Sequence, residues 1–233
     1  MKIAIGGHII GAGRAYVIAE IGNNHNGSFE RAIQMIDLAA DMGADCAKFQ
    51  MRHLDEVYRK RTLRKDGEDL GTEYVLDLLR RFELSVEDHR RLSVYCAKKG
   101  ILYLCTPWDA RSLDILEGFG VPAYKVASAD LTNLPLLEKL ASTGKPLILS
   151  TGMSRPEEVR ITVDFLNRRS SAFVLLHCNS TYPAPMHDIN LKWMHQLREV
   201  HPFGWLFRSR AWHKCVSGCS GSWRLRRRAP FHA

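Results

Sequence analysis

Short apolar runs alternate with helix-patterned segments through most of the chain, and each run stops at a cluster of polar side chains. The first is Val17-Ile18-Ala19-Glu20-Ile21-Gly22, followed by Asn23, Asn24, His25, Asn26 and Gly27. A buried strand delivers polar groups to the rim of a pocket in this way. From Phe29 to Met42, Ala32, Ile33, Met35, Ile36, Ala39 and Ala40 keep helical spacing, with Ser28 at the cap and Glu30 in the first turn. The pattern recurs at Asp45 to Gln50. Strand, helix, strand is the unit of a parallel sheet. Ser85 opens a helix to Lys99, with Glu87 and Asp88 in its first turn and Gly100 as its stop. Further strands are predicted at Ile101–Cys105, Ala123–Ser128, Leu147–Ser150 and Phe173–His177. Helices are predicted at Arg111–Phe119, Pro135–Ser142, from Pro156, and at Asn190–Val200.

Six strand–helix units precede Pro202. Eight such units close a TIM-type (β/α)8 barrel, and six do not, because strand number, tilt and stagger are coupled. The predicted fold is therefore an α/β barrel, incomplete here, with strands 17–203 in one domain. The seventh strand is due near Phe203, where the pattern stops and residues 204–233 read as an aberrant basic tail, disordered in expectation. Ahead of the barrel, Ile3-Ala4-Ile5 and His8-Ile9-Ile10 flank Gly6-Gly7 and predict a hairpin over residues 1–16, placed to plug one end. Arg52 to Gly71 reads as a long charged connection with basic residues at Arg59, Lys60, Arg61, Arg64 and Lys65. Loops of that length are usually functional or mobile, and a solvated face is the plain alternative.

Charge changes the picture only at the end of the chain. The net charge is +8, but seven Lys or Arg and no acid follow Phe203, so the rest carries about +1. A near-neutral body excludes nucleic-acid binding by the barrel and assigns the basic pI to the tail. Basic residues with tryptophans can bind single strands, but the expectation is no nucleic-acid partner. No run approaches the length of a membrane span, and the start is too quickly polar for a signal peptide. Cys46, Cys96, Cys105 and Cys178 sit in apolar contexts without metal-type spacing. Reduced, buried cysteines in a cytoplasmic protein are expected.

The strand ends carry Glu20, Lys48 with Gln50, Thr106, Lys125 with Ser128, Ser150 with Thr151, and Asn179, Ser180 and Tyr182. In a parallel barrel these ends share one rim. Two lysines and several hydroxyls suit a phosphate and a carboxylate, and Glu20 near His25 can handle protons or orient a sugar. Each group alone has a plain reading: a solvated lysine, a structural histidine at His25 or His177, a turn anchored by Tyr182. Six strands ending alike point to a site.

These residues resemble the sialic acid synthase family. The resemblance runs from about Tyr16 to Pro202 and rests on Ala19-Glu20-Ile21-Gly22-Asn23-Asn24-His25-Asn26-Gly27, Lys48-Phe49-Gln50 and Tyr124-Lys125-Val126-Ala127-Ser128. It continues through Gly144-Lys145-Pro146, Ser150-Thr151-Gly152-Met153 and His177-Cys178-Asn179-Ser180-Thr181-Tyr182-Pro183. It implies condensation of phosphoenolpyruvate with an N-acylated hexosamine, N-acetylmannosamine or a relative. Attack by C3 on the sugar's aldehyde is followed by addition of water at C2 and loss of phosphate. Lys48, Thr106, Lys125, Ser128, Ser150 and Ser180 would hold phosphoenolpyruvate; Glu20, Gln50 and Tyr182 would face the sugar, with Glu20, Lys48 and Lys125 catalytic. Legionaminate, pseudaminate and spore-coat polysaccharide synthases share the pattern. A divalent ion, Mn2+ or Mg2+, and a homodimer are further implications.

The same resemblance implies segments that this chain does not spell. Family members continue with V-G-Y-S-G-H and later E-R-H-F or E-K-H-F, whose histidines hold the metal, and with a C-terminal antifreeze-like domain. Here the chain reads Gly204-Trp205-Leu206-Phe207-Arg208-Ser209-Arg210-Ala211-Trp212. No metal ligand is therefore assigned, and the chain is not expected to hold the ion. Nothing places His195, His201 or His213 at the rim as a substitute. A shifted reading frame accounts for the tail: TGG before Leu206, His213 or Arg224, moved one base, must read glycine. A truncated synthase with two open sheet edges and little or no turnover is the expectation, and a phosphoenolpyruvate-binding remnant the alternative.

Overall fold

The computed structural model describes residues 3–11, 15–58, 70–181, 184–202 and 204–206. Strands β1 (Ile3–Ile5) and β2 (His8–Ile10) form the hairpin, with Ile3 opposite Ile10 and Ile5 opposite His8. Gly6 and Gly7 take φ of +54° and +85°, the left-handed turn that a tight hairpin needs. Gly6 also presses on the barrel: a Cβ there would stand 2.2 Å from a Leu102 methyl.

The barrel begins with β3 (Ile18–Gly22), α1 (Phe29–Asp41) and β4 (Cys46–Met51). Ser28 caps α1, its Oγ accepting from Arg31 N at 3.1 Å. The connection after β4 holds a short helix α2 (Leu54–Val57) and then α3 (Leu70–Phe82). Neither was expected from the sequence, although Leu70, Tyr74, Leu78 and Phe82 recur every fourth position. The basic run at 59–65 lies outside the described residues. Then follow α4 (Val86–Lys98), β5 (Leu102–Pro107), α5 (Ala110–Glu117), β6 (Tyr124–Val126), α6 (Leu134–Ser142), β7 (Leu147–Ser150), α7 (Pro156–Asn167), β8 (Phe173–His177), α8 (Trp193–Val200) and β9 (Gly204–Leu206). Ser128 falls outside its predicted strand, in a one-turn 3-10 helix, Ser128–Asp130.

Strands β3 to β9 form one sheet in chain order, all parallel. Sequential parallel winding with helical crossovers is the barrel topology. The seventh strand corrects the sequence reading, which gave the sixth strand no partner. Gly204, Trp205 and Leu206 pair with Leu175, Leu176 and His177. Parallel pairing runs through the backbone and needs no apolar pattern. His201 anchors the approach: its Nε2 donates to Phe173 O at 2.8 Å, and its ring stacks on Phe173 with centroids 3.9 Å apart. That puts His201 at the start of β8, far along the strand from the polar rim. Among the described residues the sheet's edges are β3 and β9. The tail beyond residue 206 and the shifted-frame reading lie outside the described residues.

The period-2 alternation of each strand sorts its side chains into two cores. Ala47, Phe49, Tyr103, Cys105, Tyr124, Leu147, Leu149, Phe173 and Leu175 face outward and pack under the helices. Cys46, Leu104, Ala123, Ile148, Val174 and Leu176 face inward, where Ile3, Ile5 and Ile10 of the hairpin join them. Those three isoleucines are nearly fully buried, at about 2 kcal/mol of stabilisation each. The hairpin thus plugs the end where the strands begin. Cys46, Cys96, Cys105 and Cys178 are all buried and unbridged.

Candidate functional site

The inward face changes character one pleat further along. Residues two positions beyond the apolar layer are Glu20, Lys48, Thr106, Lys125 and Ser150, and the last four are at most 5% exposed. Register makes them neighbours: Glu20 pairs with Lys48 and Gln50 with Thr106.

Lys48 Nζ lies 2.7 Å from Glu20 Oε2 and donates to Thr106 Oγ1 at 3.4 Å. The other carboxylate oxygen, Glu20 Oε1, is buried with no hydrogen-bond partner among the described residues. An orphaned buried acceptor is costly, and this one is an open position for a hydroxyl or amide. Lys125 Nζ donates to Ser150 Oγ and to Val126 O at 2.7 Å. Burial, with the Lys48 ammonium adding to it and Glu20 opposing it, brings the Lys125 pKa down from 10.5 to about 8. Two buried lysines thus lie in one layer with Glu20, which pairs with Lys48 and acts on Lys125 through its charge.

The loops after β6, β7 and β8 meet beside Lys125. Ser128 Oγ accepts from Gly152 N at 3.2 Å and lies 3.5 Å from Cys178 Sγ. Gly152 is the close-approach point, since a Cβ there would stand 2.8 Å from Cys178 O and 2.9 Å from Ser180 Oγ. Ser180 is therefore held over the β7 end. Thr151 serves the frame, its Oγ1 donating to Leu176 O at 3.0 Å. Asn179 ties its own loop, its Oδ1 accepting from Thr181 N at 2.7 Å. Tyr182 lies outside the described residues.

The two histidines near the rim each bond to the backbone. His25 Nδ1 accepts from Gly27 N at 3.1 Å, and burial holds its pKa below the usual range. His177 Nε2 donates to Ile189 O at 2.7 Å. His195 is exposed on α8. Among the described residues, no group of three His, Cys, Asp or Glu could hold a metal ion. None of the described residues is therefore assigned to the divalent ion that the resemblance implies.

Sequence reasoning missed Arg52, one residue past β4. It is buried, its guanidinium donates to Gln50 Oε1, and it stacks 4.6 Å above the Trp108 ring. An arginine just outside a strand gives no pattern signal, and only the tryptophan after Thr106-Pro107 hinted at a stacking face.

The geometry has counterparts among known proteins. A model of the NeuB family matches residues 35–205. The chain is 39% identical over 195 residues to the N,N'-diacetyllegionaminic acid synthase of Legionella pneumophila, covering 79% of this chain and 54% of that protein. It is 31% identical over 205 residues to the human N-acetylneuraminate-9-phosphate synthase, covering 87% of this chain and 57% of that one. The chain thus spans little more than half the length of the curated relatives it matches. Its fold superimposes with a TM-score of 0.78, at 33% identity, on the N-acetylneuraminic acid synthetase of Leptospira borgpetersenii in complex with citrate, covering 88% of this chain and 68% of that one. Since the matched residues make up most of the chain, it belongs to the NeuB family, the sialic acid synthases and their relatives.

Proposed function

We propose that the polar layer binds phosphoenolpyruvate and that the chain serves its condensation with an N-acylated hexosamine, giving a nonulosonic acid and phosphate. The observation that carries this is the pair of buried lysines, Lys48 and Lys125, set in one layer with Glu20, Thr106 and Ser150. The phosphate and carboxylate of phosphoenolpyruvate accept from ammonium and hydroxyl donors. Lys125 and Ser150 hold one anionic group, Lys48 and Thr106 the other, and Ser128 and Ser180 close the loop side. The C3=C2 π electrons form the new bond to the aldehyde carbon, whose oxygen takes a proton. Water adds at C2 and loses a proton, and the C2–O bond to phosphate breaks. Glu20 Oε1 is the acceptor for a hydroxyl of the sugar or of that water.

The relatives act on different acyl-sugars, so the assay offers several. The full chain is titrated with phosphoenolpyruvate. Phosphate release is then followed with N-acetylmannosamine, its 6-phosphate and a diacetylated hexosamine. Saturable, salt-sensitive binding with phosphate release from one sugar is the expected result. No binding of phosphoenolpyruvate sinks the proposal, while binding without release sinks only the condensation.

A further inference from the structure

Arg52 has a position and a set of partners that the anion site does not use. Its side chain is 9% exposed, although a buried guanidinium costs several kcal/mol unless it is well partnered. It donates to Gln50 Oε1, lies flat on Trp108, bonds the Tyr58 hydroxyl, and feels the Glu83 carboxylate. The contact with Gln50 fixes a choice that the carboxamide would otherwise leave open. A flipped amide would set its NH2 donors against guanidinium donors, so the oxygen must face Arg52. Gln50 Nε2 then points the other way, toward the end of β3, where a Cβ on Gly22 would lie 3.4 Å from it. Glu20 and Lys48 precede Gly22 and Gln50 by two residues on those same strands. A cation on the carbonyl oxygen also polarises the amide and strengthens its N–H donors.

We propose that Arg52 is a positioning residue that holds the Gln50 carboxamide as a fixed, polarised donor toward the amino sugar. This rests on the condensation reading above.

The test has one arm that needs no ligand. The chain has three glutamines, Gln34, Gln50 and Gln196, and Gln34 and Gln196 are exposed. With selective 15N labelling of the glutamine side chains, the Gln50 NH2 pair should be shifted and rigid in the intact protein. In Arg52→Met it should collapse onto the mobile positions of the other two. In the second arm, N-acetylmannosamine is titrated into phosphoenolpyruvate-loaded protein. Arg52→Met should weaken sugar binding about tenfold while phosphoenolpyruvate affinity stays within about twofold, and Arg52→Lys, which lacks the fork, should restore only part. Should Arg52→Met not fold, Trp108→Leu removes the stacking face and should mobilise the same NH2 pair. An NH2 pair that stays rigid in both variants overturns the proposal, as does unchanged sugar affinity, or no sugar binding by the loaded intact protein. Failure of the intact protein to bind phosphoenolpyruvate sinks the condensation reading instead, and the labelling arm still decides whether Arg52 orders Gln50.

Discussion

The two ends of the barrel interior are built by the same strands and differ by one pleat. At the lower end Ile18, Cys46, Leu104, Ala123 and Ile148 lie beneath the hairpin. Two residues on, the same strands present Glu20, Lys48, Thr106, Lys125 and Ser150. Among the strands whose side chains are described, β8 alone keeps an apolar residue at both levels, Val174 and Leu176. The lower layer stabilises the fold by removing apolar area from water. The upper layer spends stability, because two ammonium groups are held where water cannot solvate them. Lys48, Thr106, Lys125 and Ser150 are as buried as the apolar layer, so burial alone does not separate a core from a site. What separates them is whether the polar atoms find all their partners: Glu20 Oε1 does not.

The largest way to break the comparison is to move the boundary. Leu104→Lys places a third ammonium one pleat too low, under the hairpin. Soluble expression and the circular dichroism melt should show loss of the folded state, at a cost of several kcal/mol. Ile5→Ala tests the plug. It should leave a cavity and lower the unfolding free energy by about 2–5 kcal/mol, with the anion site unchanged in phosphoenolpyruvate titration.

Lys125→Met makes the upper layer resemble the lower one. Its folded pKa of about 8 lies below the unfolded 10.5, so the folded protein binds fewer protons than the unfolded chain between those values. Stability therefore rises with pH across that window, and the full cost is present below about pH 8. Denaturant unfolding should show Lys125→Met to be more stable by about 3 kcal/mol at pH 7, an advantage that fades toward pH 10.5. The same variant should lose phosphoenolpyruvate binding by at least about a hundredfold. Gly152→Ala is the mildest change. Its Cβ meets Cys178 O at 2.8 Å, so the loops carrying Ser128 and Ser180 must shift. The expected cost is about 1–3 kcal/mol, with weaker anion binding in the same titration.

Much of this was legible in the chain itself. The strands at Leu147–Ser150 and Phe173–His177 are where alternation and turn residues place them, because buried parallel strands leave continuous apolar runs. The polar strand ends were legible because chain order already brings them to one rim. The helix at Leu70–Phe82 was passed over because a charged stretch before it read as loop. The strand at Gly204–Leu206 could not be read, since it rests on backbone pairing beside an anchored His201. Arg52 was invisible for a related reason: its role comes from Trp108, 56 positions away, and from Gln50, whose side chain alone gave no hint of a partner.

The upper layer, with Lys48 and Lys125 buried in it, is an anion site. Calorimetric titration of phosphoenolpyruvate at pH 8, repeated in buffers of different ionisation enthalpy, tests it most directly. Lys125 is about half protonated there, and an incoming anion should draw it fully into the charged form. The account predicts uptake of roughly half a proton per phosphoenolpyruvate bound, abolished in Lys125→Met. Binding without proton uptake, or no binding at all, would contradict it.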